Sequence, residues 1–377
     1  MSYKEIIAAN REWVDGIWQR LDKKLSRVAV SSRGKLPYTT VNGVHDDRSG
    51  DPLFWTNGFF GGLMWLMYAE TGNECYRTTA EVSEKKLDAA FSHMDEWHHD
   101  VGFMWHILSG ASYRLTGSPE SKNRNIIAAM SLMSRYNVRG NFIRCWNGTW
   151  EGEDVSGWTI IDCMMNLPIL YFASRELGDD RFKAVAMRHA DMSMRDHVRP
   201  DGSVNHIVVH STECADTVLG TRRGQGYSAD SCWARGDAWA LYGFTLSYIH
   251  TGKSGYLDTA RSVADYFIAA VEKSSWLPHL DLLSPNVPEY YDSTAGAIAS
   301  CGLIELARVS GEDKYLEAAI SILRAMEVWC NWSEGEDSVL GMGSLMYTRE
   351  QHMPIIYGDY FLTEAILKLR GSEFLPW

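Results

Sequence analysis

Apolar positions recur at helical spacing through most of the chain, and strand-like alternation is rare. Two kinds of helical stretch take turns. The first kind is charged and amphipathic: 3–27, 73–93, 118–138, 179–197, 254–274 and 312–332. The second kind is richer in Gly, Ala, Met and aromatics: 54–71, 101–116, 159–177, 236–251, 292–310 and 357–370. Between them runs a repeated phrase, an aromatic or apolar helix end, then Gly, then a few polar residues, then Tyr or Phe. Tyr68-Ala69-Glu70-Thr71-Gly72-Asn73-Glu74-Cys75-Tyr76 is one copy, and others surround Gly117, Gly178, Gly252 and Gly311. Glycine suits the left-handed position just past a helix end. The phrase therefore marks tight turns in a repeat of helical hairpins. Six hairpins, amphipathic helices outside and the others inside, predict an all-α (α/α)6 barrel with one catalytic domain over 1–377.

The turns after the inner helices are short, whereas the segments before them are long: 28–53, 139–158, 198–235, 275–291 and 333–356. All the long segments fall at one pole, beside the N-termini of the inner helices. Long loops gathered on one face are where function concentrates. Helix N-termini there also favour anions.

Composition narrows the classes. A formal net charge of −12 argues against nucleic acid as partner. The longest apolar run, near Phe59–Tyr68, is too short and Gly-rich to span a bilayer, so no membrane partner is expected. The N-terminus reads as the start of an amphipathic helix, not as a signal peptide. Seven cysteines without a CxxC pair fit reduced thiols and a cytoplasmic location. Fifteen tryptophans are rich for this length. Any one can be core filler, but Trp beside polar loops is also how proteins hold the apolar faces of sugars.

The candidate chemistry collects at the long-loop pole. Trp55-Thr56-Asn57-Gly58 opens the first inner helix, and His98-His99-Asp100 precedes the second. Asp162 begins the third, about one turn inside an apolar stretch with no cation beside it. Trp233-Ala234-Arg235-Gly236-Asp237-Ala238-Trp239 opens the fourth, Asp292 the fifth and Asp359 the sixth. Asp292 and Asp359 read best as helix caps. Two acids at a sugar-lined pole suggest glycoside hydrolysis, with one acid protonated. Ile160, Ile161, Met164 and Leu167 should raise the pKa of Asp162 by desolvation, making it the better acid. His98-His99-Asp100 can also be a plain capping and hydrogen-bond cluster. Arg235, between two tryptophans, suits a carboxylate. Its structural alternative is a salt bridge to Asp237 or another loop acid. No third ligand stands at helical spacing for a metal, and neither GxSxG nor a P-loop is present.

On these residues the chain resembles the unsaturated glucuronyl hydrolases of glycoside hydrolase family 88. The marks are Trp55-Thr56-Asn57-Gly58-Phe59, His99-Asp100-Val101-Gly102-Phe103, Ile160 to Pro168, Gln225-Gly226, Trp233-Ala234-Arg235-Gly236 and Tyr357-Gly358-Asp359-Tyr360. The resemblance runs over nearly the whole chain. It implies an (α/α)6 barrel needing no metal or cofactor, and a substrate that is an oligosaccharide ending in an unsaturated uronate. It implies hydration of the C4=C5 double bond rather than direct glycosidic displacement. Asp162 would give a proton to C4 and activate the water that adds at C5, while Asp100 would bind ring hydroxyls and help keep Asp162 protonated. It further implies Trp55 and Trp239 as ring platforms, Asn57 and His99 as substrate partners, and Gln225 and Arg235 near the uronate carboxylate. Trp146 and Trp233 would wall the pocket, and His206 would sit near the water or leaving sugar.

Departures fall on the leaving-sugar side. Asp237 stands where members often have Gln, Gly224 where a His is common, and Ile-Val-Val follows His206 where aromatics are expected. Ser344 and Arg349 match only in part the Ser/Lys run of members that accept sulfated sugars. The main expectation is release of unsaturated glucuronate from lyase-made glycosaminoglycan fragments by a monomer or weak homodimer. The alternatives are an unsaturated rhamnogalacturonyl hydrolase acting on pectin fragments, an (α/α)6 sugar epimerase using His, and an inactive sugar-binding barrel.

Overall fold

All six inner helices end at a glycine with positive φ, from Gly178 at 63° to Gly371 at 95°. Past three of these turns an Asn, Ser or Asp caps the next helix, as Asn73 does by accepting from the Cys75 amide at 3.0 Å. The repeated phrase in the sequence is thus a matched pair of caps. The computed structural model describes residues 2–285 and 287–377.

The outer helices are α1 (Tyr3–Ser31), α3 (Glu74–Leu87), α5 (Pro119–Ser134), α7 (Asp180–Asp196), α9 (Ser254–Glu272) and α11 (Asp313–Met326). The inner ones are α2 (Phe59–Thr71), α4 (Ala111–Thr116), α6 (Pro168–Leu177), α8 (Ala234–Thr251), α10 (Ser293–Ser310) and α12 (Ile356–Arg370). A wide-wound π segment, Gly102–Gly110, leads into α4. Helix α12 packs on both α10 and α2, which closes the inner ring. The expected (α/α)6 barrel is the observed architecture. Among the described residues no helix is long and apolar enough to cross a membrane.

Outer helices bury one face, whereas α8, α10 and α12 are buried over most of their length. The barrel axis is filled by aromatic rings. Trp239 meets Phe103 at 5.0 Å and Phe361 at 5.4 Å, and Phe361 stacks on Trp377 at 5.8 Å. Trp55 tops this column against Phe103 at 5.4 Å.

The long-loop pole carries more strand than the sequence suggests. Short ribbons pair β1 (Thr40–Val41) with β2 (Val44–His45), β3 (Tyr136–Asn137) with β4 (Phe142–Ile143), and β5 (Thr149–Trp150) with β6 (Glu153–Asp154). A three-stranded antiparallel sheet joins β7 (Trp158–Ile160), β8 (Ile207–His210) and β9 (Val218–Arg222). This corrects the expected helix over 159–177. The β-branched Thr159-Ile160 pairs with β8, residues 161–165 form a 3-10 turn, and the helix starts only at Pro168. The expected helix over 73–93 likewise ends at Leu87, and a 3-10 stretch, Asp88–Glu96, follows with a break at His93.

Helix α8 lies hard against the turn that carries Asp162. A Cβ added at Gly243 would fall 2.5 Å from Met164 Cβ and 3.0 Å from its carbonyl carbon. Gly243→Ala should therefore destabilise the fold by about 1–3 kcal/mol, read as a lower denaturant midpoint. An unchanged midpoint would mean that this contact is not close-packed.

Candidate active site

Asp162 is the second residue of its 3-10 turn, after the extended Ile160. The turn is tied down twice. The Ile161 amide donates to the His206 carbonyl at 3.1 Å. The Asn166 side-chain amide donates to the Asp162 carbonyl at 3.3 Å, and its oxygen accepts from the Phe103 amide at 2.9 Å. Asn166 thus links the turn of Asp162 to the segment just after Asp100. Gly102 makes the link possible, because a Cβ there would stand 2.6 Å from Asn166 Oδ1.

Both acids open onto one cavity of about 300 Å³. Trp55, His99, Trp146, His206 and Gln225 also line it. The Asp162 side chain is 14% exposed, and its Oδ1 is buried without a hydrogen-bond partner. Burial first, then the charge of Asp100, push its carboxyl up to about 8, against a smaller downward pull from Arg235. Asp162 is therefore protonated at neutral pH.

Asp100 is held the other way. Burial pushes it up, but His99 (Nε2 at 3.3 Å) and His98 (Nδ1 at 3.1 Å) outweigh that and keep it below the usual carboxylate range. Burial lowers His98, yet the Asp100 carboxylate more than reverses this, so its imidazole holds a proton more tightly than usual. His98 Nε2 meets the Leu53 carbonyl at 3.0 Å, which fixes the ring. Burial pushes His99 down to about 4 and His206 down to about 3. His206 Nδ1 accepts from the Gln225 amide at 3.1 Å, so the neutral ring carries its proton on Nε2, 3.8 Å from Asp162 Oδ1. One acid protonated, one ionised and a neutral histidine beside them make a set suited to proton transfer.

Four expected site residues lie behind the cavity wall. Arg235 is fully buried, bonded to Asp292 and to the Ser344 and Leu345 carbonyls, the latter two at 2.6 and 2.8 Å. The loop-acid alternative therefore describes it, and it reaches the cavity as a field rather than as a bond. Trp239 is enclosed in the axial column, which removes it as a ring platform. Trp233 backs His206, with ring centroids 4.2 Å apart, and stacks on Arg235. Asn57 is buried and donates to the Asp51 carbonyl at 2.9 Å, pinning the turn before α2. Asp292 caps α10 as expected, whereas Asp359 lies inside α12 and, instead of capping it, accepts from the Val339 and Leu340 amides of the preceding loop.

No family model matches the chain. Curated relatives do. The chain is 34% identical over 329 residues to the unsaturated chondroitin disaccharide hydrolase of Streptococcus pyogenes serotype M1, covering 84% of this chain and 82% of that one. It is 33% identical to the unsaturated glucuronyl hydrolase of Bacillus sp. strain GL1, covering 87% and 89%. The chain belongs to the unsaturated glucuronyl hydrolases. It is accordingly a glycoside hydrolase, and the glucuronyl rather than the rhamnogalacturonyl alternative holds. An Asp→Asn variant of the unsaturated glucuronyl hydrolase from Streptococcus agalactiae, crystallised with dGlcA-GalNAc6S, shares the fold at a TM-score of 0.79, with 26% identity and coverage of 97% and 94%.

The cavity also takes Ile160, already singled out as an apolar neighbour of Asp162, and Phe54, Trp150, Leu345 and Met346, which did not stand out in the sequence. His98 and Arg349 line it too. Asn166 had a signal, as a polar side chain four residues after Asp162 in an apolar run. Trp150 and Met346 had none, since they come from loops whose folding is non-local.

The state of Asp162 has a cost that can be measured. Unfolded, it ionises near its ordinary 3.8, but folded it keeps its proton to about 8. Between these values the unfolded state binds fewer protons, so wild-type stability falls as pH rises. Asp162→Asn does not titrate. Its melting temperature should exceed that of wild type by a margin that grows from about pH 4 to about pH 8 and then levels. An equal margin at both ends would show that Asp162 ionises normally.

Proposed function

We propose that the protein, as one catalytic domain over 1–377, removes unsaturated glucuronate from lyase-made chondroitin-type fragments in the cytoplasm. The observation that carries this is the buried, unpaired Asp162 beside the ionised Asp100. The C4=C5 bond of such a uronate is a vinyl ether with ring oxygen on C5. Asp162 gives its proton to C4, and positive charge develops at C5 and the ring oxygen. Water adds at C5 and returns a proton to Asp162. The hemiketal opens to a C5 ketone, which leaves C1 a hemiacetal, and its collapse expels the leaving sugar. One water is consumed and Asp162 ends protonated.

Asp100, as carboxylate, accepts hydrogen bonds from ring hydroxyls and disfavours ionisation of Asp162 between turnovers. His206 Nε2 and Asp162 Oδ1 stand 3.8 Å apart, beyond a direct hydrogen bond, so the imidazole is a polar neighbour of the acid and not its partner. Trp55 and Trp146 offer ring faces, and Gln225 and His99 polar edges. Asn57, Trp233, Arg235 and Trp239 support these groups from behind. Seven free cysteines agree with a reducing compartment.

The leaving sugar faces an adjoining lobe of about 410 Å³ that contains Arg223, Arg349 and one acid, Glu151. Neither guanidinium makes an ion pair among the described residues. Two unpaired cations in a protein of net charge −12 suit an anionic leaving sugar, such as the sulfated hexosamine bound to the Streptococcus agalactiae relative.

Loss of the conjugated double bond's ultraviolet absorbance, followed on chondroitin, hyaluronan, heparin and pectin lyase products, tests this reading. Chondroitin disaccharides should be consumed, and Asp162→Asn should lower kcat by about 10³-fold with KM nearly unchanged. Arg349→Ala should raise KM mainly for the 6-sulfated disaccharide. Consumption of rhamnogalacturonan products alone would overturn the assignment.

A further inference from the structure

The β5–β6 hairpin presents a tryptophan at the edge of the catalytic cavity that stays partly exposed. Trp150 pairs with Glu153 across a two-residue turn, Glu151-Gly152, with φ of 49° and 85°. Two left-handed residues in a two-residue loop make the tight turn that matches strand twist. The hairpin is anchored from outside, because Arg222 Nη2 and Nε reach Glu153 Oε2 at 2.6 and 2.8 Å. Its root is held by Arg135, whose guanidinium donates to the Cys145 and Trp146 carbonyls at 2.9 and 3.0 Å. Trp146 packs against the Trp150 ring with centroids 4.7 Å apart. Even so, 39% of Trp150 stays exposed.

This ring borders three hollows at once: the catalytic cavity, the lobe with Arg223 and Arg349, and an outer groove that contains Asp95 and Glu96. A fixed, partly open indole continuous with a sugar cavity offers a ring face to a further sugar. The occupant must be continuous with the catalytic cavity, must offer an apolar ring face and must be drawn to the cationic side rather than the acidic one. The next acidic sugar of a glycosaminoglycan chain meets all three conditions.

We propose that Trp150 is the platform of an outer subsite that takes the third ring of a longer unsaturated glycosaminoglycan oligosaccharide. The inference rests on the function proposed above, but its test does not require turnover. In the Asp162→Asn background, calorimetry compares the unsaturated chondroitin disaccharide with the corresponding tetrasaccharide. The tetrasaccharide should bind about five- to tenfold tighter. Adding Trp150→Ala should reduce this preference to within about twofold, and Trp150→Tyr should retain most of it. An equal preference with and without Trp150, or no preference in the parent, overturns the subsite. Failure of the function itself would appear separately, as wild-type protein that leaves the double bond intact.

Discussion

The site depends on one unfavourable fact, a carboxyl group with one oxygen buried without a partner beside a second carboxyl group. An ionised Asp162 would face both desolvation and the charge of Asp100, so it keeps its proton. Asp100 escapes the same fate because two histidines face its carboxylate. The difference between two chemically identical side chains is made entirely by their neighbours. It is also the difference that vinyl ether hydration needs, a neutral acid that keeps its proton at neutral pH beside a carboxylate that does not.

The barrel exists in this account to hold that arrangement still. Asn166 bridges the two acid-bearing segments, and Gly102 and Gly243 let backbone approach where a methyl group would intrude. The π segment Gly102–Gly110 begins two residues after Asp100, and such irregular turns are frequent at functional sites. Below the cavity the aromatic column from Trp55 to Trp377 fills the axis. Arg235, paired with Asp292 and covered by Trp233, places a fixed positive charge behind the wall. That charge opposes the upward shift of Asp162 but does not cancel it.

Much of this was legible in the sequence because it is local. Helical periodicity and the glycine-containing turn phrase gave the alternating hairpins, and loop length gave the working pole. Asp162 stood out as an acid in an apolar run, and Asp100 beside two histidines. What the sequence hid is non-local. Residues 159–165 read as helix, and only pairing with β8 makes them strand and turn. Trp239 and Trp55 look alike as motif residues, yet one lies inside the axial column and the other at its top. Trp150 and Met346 reach the cavity from segments far apart in the chain, and nothing in their own neighbourhoods marks them.

The central claim is that Asp162 carries a proton when the substrate arrives. Infrared difference spectra between wild type and Asp162→Asn, taken across a pH series, measure this directly. The account predicts a protonated carboxyl band for Asp162 at about pH 6 that gives way to a carboxylate band only near pH 8. A carboxylate band already present at about pH 6, with no acid band, would contradict it.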